Sequence, residues 1–210
     1  MAQPPAQQTH LQEAAYHALN SYFNAHPNEV LEIEILPPSH EPTNALLLQD
    51  DTCLGLPKKI LVLAFLHARS LFFATKHSTT TDIPDSTGNS NLEALEATRV
   101  ILLFDPEHLT AANYRKHHLR SITQHEQRCT YAQAELCFLD SILTSPLHRQ
   151  SKSPTLWALR AHVLEYLLPE RNPGLQTSLE TRPAVHVTVA RELKAVCVED
   201  AGVGEEIWRD

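Results

Sequence analysis

Asp105-Pro106-Glu107-His108-Leu109-Thr110-Ala111-Ala112-Asn113-Tyr114-Arg115-Lys116 and Lys152-Ser153-Pro154-Thr155-Leu156-Trp157-Ala158-Leu159-Arg160 are two versions of one pattern. Each places an arginine three residues after a small or planar residue (Ala112, Trp157) and a leucine four positions beyond it (Leu119, Leu164). The copies are 45 residues apart at every matched position (157 − 112, 160 − 115, 164 − 119). Self-similarity at such a period marks stacked helical hairpins, in which each unit buries its apolar face against its neighbours. The expected fold class is all-α: an alpha-alpha superhelix of stacked helical hairpins, with a short N-terminal strand or hairpin ahead of it.

Working outward, residues 92–104 read as helix A of the first hairpin, stopped near Asp105-Pro106. Its helix B spans 110–122, with Thr110 as the expected N-cap. Residues 130–143 form helix A of the second hairpin. Ser153 and Pro154 open its helix B, which runs to 168 because proline is tolerated only in the first helical turn. Residues 185–198 read as helix A of a third repeat that has no B helix, and 199–210 as an irregular tail.

Upstream, Leu11, Ala14, Ala15, Ala18, Leu19, Tyr22 and Phe23 recur with helical period and predict one amphipathic helix. Leu31, Ile33 and Ile35 alternate with Glu32 and Glu34, predicting a half-buried strand over 30–36 that stops at Pro37-Pro38. An extended piece at 45–48 is the candidate partner for that strand. Pro57 is expected to open a helix whose run 60–73, apolar nearly all round, should be the most buried element. The segment 76–91, rich in Ser, Thr, Asn and Asp, reads as a flexible linker. Residues 1–75 thus form an N-terminal portion, and 92–198 the repeats.

Composition agrees with helices. The chain has 210 residues and 42% hydrophobic content with only five glycines, while its fourteen prolines fall mostly between the apolar runs. A net charge of −8 without a basic face argues against nucleic acid as the main partner. The start MAQPPAQQTH lacks the charged and apolar regions of a signal peptide, and the greasiest run contains His67 and Arg69 and is too short to span a membrane. Cys53, Cys129, Cys137 and Cys197 form no CxxC pair, so they are expected to be reduced thiols in a cytoplasmic protein. No terminal cysteine box makes the chain itself a prenylation substrate.

The two quoted segments resemble the protein prenyltransferase alpha subunit repeat family, whose B helices carry a Trp-x-x-Arg core and whose A helices precede a proline-containing turn. The specific motifs occupy two short windows, although the likeness extends over about residues 10–198. The chain departs from the family pattern at Ala112, where tryptophan is usual, and at Ala161-His162, where Arg-Trp is usual. Tyr114 or Phe104 is the expected filler beside Ala112. The resemblance implies a subunit inactive alone, wrapped around a prenyltransferase beta subunit that holds the zinc, the isoprenoid diphosphate and most contacts to a protein substrate bearing a cysteine. It implies no cofactor on this chain. It also carries over Lys152, five residues before Trp157, as a contact to the diphosphate leaving group, where a cation neutralises developing charge. The tyrosine accompanying that lysine in some members is Pro154 here.

Asn113, Arg115, Trp157 and Arg160 are otherwise expected to be structural, packed in the repeat core. Arg115 and Arg160 would share one task, bonding a neighbouring helix end or carboxylate, with Glu135 and Asp140 as candidate partners. His117, His118 and His125 are close in sequence yet read as surface histidines and not as a metal site, because only a helix persisting through Thr123 would align the last two. The competing function is a non-catalytic helical-repeat scaffold for protein–protein interaction, similar to tetratricopeptide modules. Those recur every 34 residues and lack the Trp-x-x-Arg core.

Overall fold

The apolar stripe at 11–23 winds into the first helix of a computed structural model that describes residues 5–40, 42, 45–78 and 87–167. This helix, α1 (Pro5–Ala25), buries Ala15, Tyr16, Leu19, Tyr22 and Phe23 along that stripe. Strand β1 (Glu32–Leu36) follows with Leu31 and Ile33 inside and Glu32 and Glu34 in water, as the alternation requires. Two further strands complete the sheet: β2 (Leu48–Asp50) and β3 (Cys53–Pro57).

The strand order is β1-β3-β2. β1 runs parallel to β3, with Ile33 opposite Leu54 and Ile35 opposite Leu56, and β2 forms an antiparallel hairpin with β3. The extended piece at 45–48 therefore does not pair with the first strand. A strand missing from the sequence reading, β3, lies between them. The two-residue connection Asp51-Thr52 requires a positive φ, which Asp51 adopts at 51°. Tyr22 of α1 donates its hydroxyl to the Asp51 carbonyl at 3.0 Å and pins that turn.

Pro57 closes β3, opposite Leu36, and does not begin a helix; α2 spans Lys58–Ser78. One face of α2 buries Leu61, Ala64, Ala68 and Phe72, while Leu66 is 42% exposed on the other. The most enclosed element is instead α3 (Thr87–Phe104), where Ala97, Thr98, Val100, Ile101, Leu102 and Leu103 are all fully buried. The reason is position in the fold. α3 packs along α2 and also touches α1 and α4 (Leu109–Ser121), so its apolar run is covered on several sides. α2 and α3 extend into the expected linker at both ends, and the remaining polar residues 79–86 lie outside the described ones.

The second helix pair is α5 (His125–Thr144) and α7 (Pro154–Leu167), joined through the short α6 (His148–Ser151). α5 packs along α7, α4 touches both, and α5 lies against β1. The expected third repeat and tail fall outside the described residues. What stands is a mainly α-helical protein with a small mixed sheet. Its buried side chains form one continuous core from α1 to α7.

Serine hydroxyls join the sheet to the helices. The outer edge of β1 offers backbone N–H groups with no strand to receive them. Ser141 on α5 and Ser145 at its C-cap, four residues on, accept from Leu31 N and Ile33 N, each at 2.8 Å. Their own protons go back along the helix to the Cys137 and Ser141 carbonyls, so each hydroxyl is satisfied as donor and acceptor. A helix face thereby closes a sheet edge that would otherwise be open to pairing.

Candidate functional site

The repeated segments keep one register in three dimensions. His108 caps α4, its Nδ1 accepting from Ala111 N at 3.2 Å. Ser153, 45 positions on (153 − 108), caps α7, its Oγ accepting from Leu156 N at 3.1 Å. Thr110, expected as the cap, instead lies exposed inside the first turn, because the helix begins one residue earlier, at Leu109. The Ser153 hydroxyl also donates to the Pro106 carbonyl at 3.0 Å, and Gln150 donates to the Leu103 carbonyl at 2.9 Å. The entrance of α7 is thus tied to the end of α3 and the turn that leads into α4.

Arg115 and Arg160 do the same work with different partners. Each reaches back to the residue 20 positions earlier on a preceding helix: Arg115 Nη1 to the Leu95 carbonyl of α3 at 2.8 Å, Arg160 Nε to Asp140 Oδ1 of α5 at 2.5 Å. Arg115 also donates to Thr98 Oγ1 at 2.9 Å and forms a two-pronged pair with Glu135 of α5, through Nε at 2.6 Å and through Nη2. Glu135 and Asp140 are therefore the carboxylates that the two arginines select. The Arg115–Glu135 side chains are 3% and 2% exposed, against 15% and 26% for Arg160–Asp140. Burial opposes the charge on Arg115, but the adjoining Glu135 carboxylate prevails and holds the guanidinium pKa above its ordinary value.

The other two motif residues are not core. Trp157 is 48% exposed and Asn113 is also exposed. The inward face of α7 is Leu156, Leu159 and Val163, and Trp157 lies about a quarter-turn round from it. Its indole Nε1 donates to the Ser151 carbonyl at 2.9 Å, and the Arg160 guanidinium lies over its ring at 5.8 Å; Lys152 is also exposed. At the matching place in the first pair, Ala112 is buried, so the small residue stands where the site is enclosed and the large one where it is open. Tyr114 and Phe104 do not fill a gap beside Ala112. They face α2, Tyr114 edge-on to Phe72 and Phe104 stacked on Phe65.

A cleft of about 480 Å³ opens between α1, α3, α4 and α5, above the Arg115–Glu135 pair. Arg99 forms part of its wall, set over the rings of Phe23 and Phe138 at 5.5 and 5.9 Å and donating through Nη1 to Asn24 Oδ1 at 2.7 Å. Its Nε is buried without a partner, as is the Tyr131 hydroxyl. Burial, and then the Arg115 charge, pull the Arg99 pKa down to about 10. Burial and the Glu135 charge push Tyr131 well above the usual phenol range. His118, edge-on to Tyr131, is held below the ordinary imidazole value by burial and by Arg115. No spacing in the sequence signals this cleft, since its polar groups come from three helices.

His118 and His125 sit on separate helices, because α4 ends at Ser121 and α5 starts at His125. Cys53, Cys129 and Cys137 are free thiols, while Cys197 lies outside the described residues. No helix among the described residues is long and apolar enough to cross a membrane. No protein-family model matches this chain, and no curated protein matches it.

Proposed function

We propose that this chain is an alpha-type subunit of a protein prenyltransferase, a stack of helical hairpins inactive alone that works through a beta subunit. That partner would hold zinc and isoprenoid diphosphate and receive a protein substrate bearing a cysteine, in the cytoplasm. The observation that carries the reading is the recurrence, at one 45-residue register (160 − 115), of a helix cap and a fastening arginine in successive helix pairs. Stacking units of this kind present a continuous surface to a partner. Lys152 and Trp157 are both exposed, and the Trp157 ring, with the Arg160 guanidinium over it at 5.8 Å, is an aromatic group of the type that anchors interfaces.

Co-expression with prenyltransferase beta subunits tests the reading. A stable complex should form, Trp157→Ala should weaken it, and Lys152→Ala should leave the complex intact while slowing isoprenoid transfer to a cysteine-bearing peptide. No complex with any beta subunit would remove the proposal. The scaffold reading is favoured by one feature: Arg149, the basic residue three before Lys152, is committed to Asp105 at 3.2 Å and is not free to join it at a diphosphate. A complex that forms without any transfer activity would select that reading.

A further inference from the structure

The cleft above the Arg115–Glu135 pair has the makings of a ligand site that neither reading uses. We propose that it binds a small organic acid, whose carboxylate pairs with Arg99 and Tyr131 and whose apolar body lies against Phe23, Leu92 and Phe138.

Three observations lead there. First, charge at the base of the cleft does not close. Arg99 and Arg115 are two guanidiniums, and Glu135 is the one buried carboxylate between them, already held two-pronged by Arg115. Arg99 has a neutral amide, Asn24, as its hydrogen-bond acceptor and no carboxylate within salt-bridge distance among the described residues. Glu135 and Glu96 attract Arg99 without pairing with it, and a cation set among aromatic rings with no directly paired anion is costly, a cost that a bound anion lowers. Second, Arg99 Nε is a buried donor without an acceptor, and the Tyr131 hydroxyl beside it has only the Glu135 carboxylate to turn to, which Arg115 already holds two-pronged. Their shared deficit is an oxygen acceptor, and Tyr131 remains protonated and able to donate at neutral pH. Third, the volume of about 480 Å³ lies within the range of small-molecule sites, and most of the lining is apolar.

The charge balance selects a monoanion. Arg99, the lining guanidinium with no directly paired carboxylate, matches one carboxylate, whose planar pair of oxygens suits a guanidinium edge. A phosphate dianion would bring a second negative charge towards Glu29 and Glu96 at the rim, where Glu29 is paired with His26 at 2.9 Å and Glu96 accepts from Asn24 at 2.8 Å. The apolar walls then ask for an aromatic or branched body on the acid. The site depends on no beta subunit, so its fate is separate from that of the proposed function.

Calorimetric titration of the full chain with sodium benzoate tests this, with benzamide as the neutral isostere and inorganic phosphate as the competing anion. Benzoate should bind saturably, with benzamide and phosphate weaker by about tenfold or more. Arg99→Gln should weaken benzoate by a similar factor. Because that change disturbs a buried stack, Leu92→Trp provides the second variant: Leu92 is 56% exposed at the mouth, and a larger ring there should block entry while leaving the fold unchanged. Benzamide binding as well as benzoate, benzoate binding unaffected by Leu92→Trp, or no saturable binding would each overturn the proposal. So would binding of a peptide with a C-terminal phenylalanine carboxylate in the absence of benzoate binding, which would assign the cleft to a chain terminus.

Discussion

Replacing Arg115 with methionine removes a cation whose partner cannot reach water. Glu135 is 2% exposed, so it would lose its two-pronged partner while still buried, a situation that costs about 3–5 kcal/mol. The Leu95 carbonyl is not orphaned, because Thr98 Oγ1 still donates to it at 2.8 Å. With an ordinary urea dependence of about 2 kcal/mol per molar, the unfolding midpoint should fall by roughly 2 M. Arg160→Met is the internal control. Its carboxylate, Asp140, keeps 26% of its side-chain surface, so water can replace the arginine and the loss should be about 1 kcal/mol, or roughly 0.5 M. Combining Arg115→Met with Glu135→Leu removes both charges and should recover about 2 kcal/mol or more relative to Arg115→Met alone. Helical circular dichroism followed through a urea titration reads all four proteins. Equal midpoint shifts for the two arginine variants, or additive losses in the double variant, would refute the claim that burial separates two motif arginines of identical register.

Three further outcomes are expected. Ser141→Ala and Ser145→Ala should each destabilise the protein by about 1–3 kcal/mol, and amide exchange should accelerate selectively at Leu31 and Ile33 respectively, because each loses its only acceptor. Gly55→Ala should cost about 1–3 kcal/mol, since a Cβ there would meet Leu36 Cδ1 and Leu48 Cβ at 3.1 Å, and thermal unfolding should show it. Thermal stability should also fall with acid. His67, His118 and His162 all have folded pKa values below the ordinary 6.5, mainly through burial, so the unfolded chain binds protons more readily. That stability is complete above pH 6.5 and is lost as pH drops through the lowered folded values, and His118→Gln should flatten the slope.

The sequence reading found the helices where periodicity was long and its punctuation local. The stripe at 11–23, the stop at Asp105-Pro106 and the Ser153-Pro154 start all depend on neighbours within one or two turns, and all stand. It named Glu135 and Asp140 as acidic candidates, because a buried arginine demands an acceptor, but could not pair them. It misplaced what depends on distant packing. The run 60–73 reads as apolar nearly all round, yet α3 is the more enclosed because other helices cover it. Trp157 reads as core from its motif and is exposed, because a helix face becomes interior only where another element covers it.

By itself the sequence determined that this protein is mainly helical, that one short pattern occurs twice at an interval of 45 residues (157 − 112), and that two arginines hold the same place in it. Those properties lie in spacing, and spacing is local. Only the tertiary structure decided that β3 lies between β1 and β2, that serines of α5 close the sheet edge, and that Arg115 is sealed while Arg160 is wet. It alone set Arg99 and Tyr131 into one cleft. Each of these depends on which residues far apart in the chain exclude water from one another, and a linear pattern does not encode that until the helices have packed.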